Sequence, residues 1–177
     1  ILSLNRVEFV TTLLGAMRAG VIPVPVNIKL AAETVRYIAG DAGAKLAFCE
    51  TAYRHLLPPD LPVVAFDEGN AFADFLDAGP FTPIEPAPDT VAIQPYTSGS
   101  TGKPKGVLLS HYGQNWSRRI LAHTRGTSEN DVILVAAPLY HKNALNAIKQ
   151  GLTAGATLVL MPQFNVEQYI AAIERFH

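Results

Sequence analysis

Short runs of apolar, mostly β-branched residues alternate with helical patterns along most of the chain, and this alternation restricts the possible folds more than any other feature. The strand-like runs cover residues 21–26, 46–49, 63–66, 91–96, 107–110, 132–137 and 156–161. Helical patterns cover residues 7–17, 31–39, 112–124, 144–151 and 166–173, with a further short helix after Thr51. Alternation of this kind predicts βα units, and therefore an α/β fold with mostly parallel sheets covered by helices. Pro23 and Pro25 make the first run an edge strand or an irregular one.

Four residues mark the ends of predicted helices. Asn5, followed by Glu8 three positions later, has the pattern of an N-cap and a capping box. Gly20 stands where a residue in the left-handed conformation would end the same helix. Asn165 is expected to cap the last helix, whose apolar residues recur at helical spacing.

A proline-rich stretch at residues 79–89, GPFTPIEPAPD, has neither a helical nor a strand period. We expect it to link a first α/β subdomain at residues 1–78 to a second at residues 90–177. Because the chain begins with Ile1 and stops inside a helical pattern, we interpret it as a piece of a longer protein that is incomplete at both ends.

The composition excludes several classes of function. Hydrophobic residues make up 49% of the 177 residues and charged residues only 16%, against roughly 25% charged in an ordinary domain, which predicts surfaces covered by more protein. The net charge of −1 and the scattered cations argue against nucleic acid and anionic membranes as partners. Since no membrane span or signal peptide is apparent, we expect a cytoplasmic protein. The single cysteine, Cys49, is expected to be a buried structural thiol.

The chemistry of the chain is concentrated in residues 96–106, YTSGSTGKPKG, directly after a predicted strand. Loops that leave the carboxyl ends of parallel strands are where α/β folds bind ligands. Glycines allow the backbone to approach a ligand and to aim several N–H groups at one anion, while the hydroxyls and lysines add donors and positive charge. The stretch therefore predicts a phosphate site, although a flexible surface loop has a similar composition. The candidate residues are Thr97, Ser98, Gly99, Ser100, Thr101, Gly102, Lys103 and Lys105.

Two common nucleotide motifs do not fit this loop. A Walker-type loop that used Gly102 and Lys103 would require a glycine where Thr97 stands, and a hydroxyl residue where Pro104 stands. No GxGxxG pattern is present, so a Rossmann dinucleotide site has no support.

The loop resembles the phosphate-binding signature of the adenylate-forming superfamily, which includes acyl-CoA and aryl-CoA synthetases, luciferases and the adenylation domains of peptide synthetases. Residues 96–106 fit the pattern of an aromatic residue, TSG, Ser or Thr, TG, any residue and PKG at every position. Residues 8–27 resemble the early helix and strand of the family, and residues 138–141, PLYH, resemble its PLFH segment. The resemblance implies that the chain is a fragment of the large N-terminal domain. The later GYGxTE-like and YRTGD-like segments and the C-terminal catalytic lysine are absent from residues 1–177.

The resemblance also implies roles for individual residues. The loop residues at positions 97–102 would wrap the β- and γ-phosphates of ATP, with Lys103 and Lys105 neutralising the departing pyrophosphate. Mg²⁺ would assist, and its carboxylate ligand is expected in the missing GYGxTE-like loop, so no metal ligand is assigned within this chain. His141 would lie beside the acyl or aryl substrate, although a structural role is the alternative.

Other residues of the second half are expected to be structural. His111 and His123 flank a predicted helix and are expected to serve the fold alone. Trp116 on the same helix is interpreted as a packing residue, and the pair Arg118 and Arg119 as charge on a solvated face.

The PLYH segment favours a CoA ligase over a peptide-synthetase domain, because the latter usually has an FD-like start there. We therefore expect an ATP-dependent acyl-CoA synthetase that acts on a fatty or aromatic carboxylic acid and CoA, with self-association possible and with residues 1–177 inactive alone. Two alternatives stay open. One is an amino-acid or aryl-acid adenylation module that serves a carrier protein, and the other is a non-catalytic nucleotide-binding domain.

Overall fold

A computed structural model describes residues 1–98 and 102–176 of the chain. The α-helices are α1 (Val7–Arg18), α2 (Ala32–Asp41), α3 (Ala71–Phe75), α4 (His111–Arg125), α5 (Lys142–Ala154) and α6 (Val166–Phe176), with a 3-10 helix at Thr51–Leu56. The strands are β1 (Ala47–Cys49), β2 (Val63–Ala65), β3 (Val91–Ile93), β4 (Tyr96–Thr97), β5 (Lys105–Gly106), β6 (Leu109–Ser110), β7 (Val132–Val135) and β8 (Thr157–Leu160). Both halves of the chain contain helices and strands interspersed along the sequence, which confirms the α/β fold class.

The strands pair in small sheets. β1 pairs with β2, and β7 with β8, both parallel, as expected for strands joined by a helical crossover. β3 with β6, and β4 with β5, are antiparallel pairs that the sequence did not predict. Residues 21–26 form no strand, in agreement with the prolines there. The sequence did not predict α3, because a helix of five residues is too short to show a helical pattern.

Two hydrophobic clusters form the core. One surrounds β1 and α2 and includes Leu2, Val35 and Cys49. The other packs Phe9 and Leu13 of α1 against Val135 of β7 and against residues of α5. The proposed subdomain boundary at residues 79–89 stays a prediction, but α1, from the N-terminal side of that boundary, is buried among residues from its C-terminal side.

Asn5 does not cap α1, so the predicted capping box is wrong. The N-cap residue is Arg6, without a side-chain cap, and Glu8 pairs with Arg6 at 2.9 Å. The Asn5 side chain, 4% exposed, points instead into the core between the ends of β7 and β8. Its Nδ2 donates to the carbonyl oxygens of Ala137 and Met161, both at 2.9 Å. Its Oδ1 accepts from the backbone N–H of Leu139 at 2.7 Å. Asn5 therefore fixes the segment that leads to His141.

The other helix-end predictions are confirmed. Gly20 has a φ of +74°, in the left-handed region that favours glycine. Asn165 accepts through Oδ1 from the backbone N–H of Gln168 at 3.0 Å, as an N-cap should. Cys49 is fully buried, as its apolar surroundings in the sequence predict. Within residues 1–98 and 102–176, no helix has the length and apolar character needed to cross a membrane.

Candidate phosphate-binding site

The candidate phosphate loop closes a β-hairpin. β4 and β5 pair with Tyr96 opposite Gly106 and with Thr97 opposite Lys105, so both ends of the loop are held by the same pair of strands. The side chains of Thr97, Ser98, Lys103 and Lys105 are exposed. The predicted site residues Gly99, Ser100 and Thr101 lie outside the described residues.

Two glycines of the loop are required by its geometry. Gly102 has a φ of +89°, a conformation that residues with a Cβ atom rarely adopt. At Gly106, a Cβ atom would collide with Nε2 of Gln94 and would lie 3.1 Å from Cζ of Tyr96. The hairpin itself therefore requires both glycines, whether or not a ligand approaches the backbone there.

The base of the hairpin is fastened to the end of α2. Oη of Tyr96 donates to Oδ2 of Asp41 at 2.6 Å and accepts from Nε2 of Gln94 at 3.3 Å. The ammonium of Lys103 lies 5.3 Å from the centroid of the Tyr37 ring, a cation–π distance. Burial, together with the hydrogen bond to the negatively charged Asp41, raises the pKa of Tyr96 above its usual value. Tyr37 and Asp41 were not predicted, since nothing in the sequence places the end of α2 beside residue 96.

Replacing Asp41 with asparagine should lower the pKa of Tyr96, because the carboxylate that opposes a phenolate charge is removed while the side-chain volume is kept. NMR of the tyrosine ring carbons over a pH titration measures this directly. Asp60→Asn, a change at an exposed site in another loop, is the matched control and should leave Tyr96 unaffected. An unchanged Tyr96 titration in Asp41→Asn would show that the hydrogen bond does not hold the hairpin.

His141 lies at the N-cap of α5, and its side chain is exposed. Its backbone N–H donates to the carbonyl oxygen of Pro138 at 2.9 Å. The ring stands edge-on to the ring of Tyr140, with centroids 4.8 Å apart. Among the described residues, no hydrogen bond or aromatic contact joins His141 to the phosphate loop.

The predictions for α4 are partly wrong. Trp116 is 57% exposed, whereas Arg118 is only 8% exposed and hydrogen-bonds to Asn146 on α5. Arg119 is exposed, as predicted. The sequence shows that these residues lie on a helix, but not which face of the helix meets α5.

The described residues contain no group of three His, Cys, Asp or Glu side chains that could hold a metal ion.

Comparison with known proteins identifies the family. The family model described as AMP-binding enzyme matches residues 1–177. The chain belongs to the AMP-binding enzyme family. The resemblance that rests on the loop and on the PLYH segment is thereby confirmed.

Two curated relatives of this AMP-binding chain are ligases. It is 34% identical to the indoleacetate–CoA ligase of Aromatoleum aromaticum, in an alignment that covers 98% of the chain and 37% of that protein. It is 35% identical to the fatty acid–[acyl-carrier-protein] ligase ScoC of Streptomyces coeruleorubidus, over 91% of the chain and 33% of that protein. The chain thus spans roughly a third of the length of these relatives.

A solved AMP-binding structure has the same fold. The o-succinylbenzoate CoA synthetase MenE of Bacillus subtilis, in complex with ATP and a magnesium ion, superimposes with a TM-score of 0.80 at 26% identity. The match covers 99% of the chain and 46% of that structure.

Proposed function

We propose that residues 1–177 provide the phosphate-binding part of an ATP-dependent ligase that converts a carboxylic acid to an acyl-adenylate and then to a CoA thioester. The observation that carries the proposal is the hairpin loop, which presents hydroxyls and two lysines from a fixed base. The relatives that are CoA ligases, and the solved MenE complex with ATP and magnesium, support this function.

In the first half-reaction, an oxygen of the acid attacks the α-phosphorus of ATP, and the bond to the β-phosphate oxygen breaks. Negative charge then accumulates on the departing pyrophosphate. Donors that are already in position stabilise such charge better than water does, because they need not reorganise during the reaction. We assign this role to Lys103 and Lys105, with the hydroxyls and backbone N–H groups of residues 97–102.

The second half-reaction transfers the acyl group to a thiol. The CoA sulfur attacks the acyl carbon, and AMP leaves with the electrons of the broken acyl–oxygen bond. ATP and CoA are therefore the proposed co-substrates. Mg²⁺ would add positive charge at the phosphates, but no described group of carboxylates fits it.

A carrier protein is the second candidate for the acceptor thiol, and the similarity to ScoC favours it. Hydroxamate trapping across a panel of fatty, aryl and amino acids identifies the acid that is activated. Adding CoA or a phosphopantetheinylated carrier protein to the same reaction then identifies the acceptor. A protein that binds ATP but activates no acid would instead be the non-catalytic nucleotide-binding domain.

His141 is proposed to contact the acid rather than ATP. In a full-length ligase carrying this sequence, His141→Ala should change the KM for the acid, or the preference among acids, more than the KM for ATP. Steady-state kinetics with each substrate varied in turn measure both constants. If only the thermal stability changed, His141 would be a structural residue.

A further inference from the structure

The interface between α4 and α5 pairs cations with amide oxygens. Nη1 of Arg118 donates to the backbone carbonyl of Asn146 at 2.9 Å, and Nη2 donates to Oδ1 of the same residue at 3.1 Å. Nη1 of Arg125 donates to Oε1 of Gln150 at 3.1 Å. The ammonium of Lys149 donates to Oε1 of Gln114. In each pair the side-chain acceptor is the amide oxygen of an asparagine or glutamine, which has almost the same shape as aspartate or glutamate but carries no charge.

These cations have no negative partner among the described residues. Neither α4 nor α5 contains an aspartate or a glutamate, and the ion pairs of residues 1–98 and 102–176 all lie between residues 6 and 68. A buried charge is costly unless it is paired, and neutral oxygens compensate for it only in part. The interface therefore holds positive charge that its own side chains leave unbalanced.

Arg118 and Lys149 are the most confined of these groups. Arg118 is 8% exposed, and its Nε is buried without a hydrogen-bond partner among the described residues. Burial, together with the positive charges of Arg118 and Lys142, lowers the pKa of Lys149 to about 8. Lys149 therefore lies close to Arg118 and Lys142, and a nearby anion would stabilise its charged form.

One face of α5, which begins next to His141, carries two of the lysines. Lys142, Asn146 and Lys149 follow one another at i, i+4 and i+7, which places them on one side of the helix. Lys149 lies eight positions after His141, about 12 Å along the helix axis at 1.5 Å per residue. An acid that lay along this face with its reacting end near His141 would place its far end, about 12 Å away, beside the buried Arg118 and the partly buried Lys149.

We propose that Arg118 and Lys149 bind a carboxylate at the far end of the acid, so that the ligase prefers dicarboxylic acids to monocarboxylic acids of the same length. This inference rests on the proposed function, since it requires that the acid lie beside His141. A carboxylate accepts hydrogen bonds from both a guanidinium and an ammonium, and such charge-assisted bonds are about twice as strong as neutral ones. The amide oxygens hold the two cations in place. Protein carboxylates in the same positions would compete with the substrate carboxylate for these cations.

The decisive variant is Gln114→Glu, which keeps the side-chain shape but places a permanent carboxylate beside Lys149. The new ion pair should hold or raise the stability of the chain, yet it should compete with the substrate. In a full-length ligase carrying this sequence, we expect the ratio of kcat/KM for suberate to that for octanoate to fall at least 10-fold. Arg119→Gln, which removes an exposed cation of the same helix, is the matched control and should leave the ratio unchanged.

A second measurement does not depend on catalysis. By NMR of the lysine side chains in residues 1–177, suberate should raise the pKa of Lys149, because a bound anion stabilises the ammonium. Octanoate and inorganic phosphate should raise it less. Binding of suberate should weaken as the pH rises through the pKa of free Lys149, about 8, since the ammonium is then lost.

The outcomes are distinguishable. Activation of octanoate with no preference for suberate would overturn the inference and leave the proposed function standing. No activation of any acid would overturn the proposed function, and the NMR titration would then decide the inference alone. A larger response of Lys149 to phosphate than to suberate would also overturn it, as would an unchanged selectivity in Gln114→Glu.

Discussion

Replacing Asn5 with alanine should lower the free energy of unfolding of this chain by about 2–5 kcal/mol, because three backbone groups, two of them in buried hydrogen bonds, lose their partner at once. The carbonyl oxygens of Ala137 and Met161 and the N–H of Leu139 are all bonded to this one side chain. An unpaired buried polar group costs about 1–3 kcal/mol, and relaxation of the segment recovers part of the sum. Urea denaturation of residues 1–177 measures the change.

Asn115→Ala is the matched control for this prediction. It makes the same chemical change on the exposed side of α4, where substitutions usually alter stability by no more than about 0.5 kcal/mol. Equal effects of the two substitutions would show that Asn5 does not hold the ends of β7 and β8. Because Asn5 fixes the segment before His141, a loss of order around His141 should accompany the destabilisation.

Replacing Lys103 with alanine should slow adenylation by about 10- to 150-fold in a full-length ligase carrying this sequence. This range corresponds to the loss of one charge-assisted contact, about 1.5–3 kcal/mol. Formation of the thioester from supplied acyl-adenylate should change much less, because no pyrophosphate departs in that step. Pyrophosphate exchange measures the first half-reaction, and acylation of the thiol measures the second.

Lys29→Ala, which removes another exposed lysine, is the control for Lys103 and should leave both half-reactions unchanged. Equal damage to the two half-reactions in Lys103→Ala would contradict the assignment of Lys103 to the leaving pyrophosphate. It would indicate instead that the contact with the Tyr37 ring makes Lys103 a structural residue.

The features that local sequence predicts well are those whose causes are local. The alternation of apolar runs and helical patterns predicts the α/β class, and single residues such as Gly20 and Asn165 mark helix ends through their own backbone geometry or side-chain reach. The loop at residues 96–106 is recognisable because its residue types and their spacing fit the family's phosphate-binding signature at every position.

The features that the sequence does not reveal depend on distant partners. Asn5 has the local pattern of an N-cap, but its side chain bonds groups 132 to 156 residues away in the sequence. Tyr96 and Asp41 are 55 residues apart, and no pattern connects them. The burial of Arg118 follows from the crossing of α4 with α5, whereas its neighbour Arg119, one position further along the helix, stays exposed.

The central claim is that this chain supplies the phosphate loop of an acid-activating ligase and needs further segments of the protein for catalysis. Positioning of the reacting groups can contribute about 7–11 kcal/mol to the lowering of a barrier, and phosphate contacts alone do not position the acid. Acid-dependent exchange of pyrophosphate into ATP tests the claim most directly. A full-length ligase carrying this sequence should catalyse the exchange, and residues 1–177 alone should show none above background. Rapid exchange by residues 1–177 alone, or no exchange by the full-length protein with any acid, would contradict the claim.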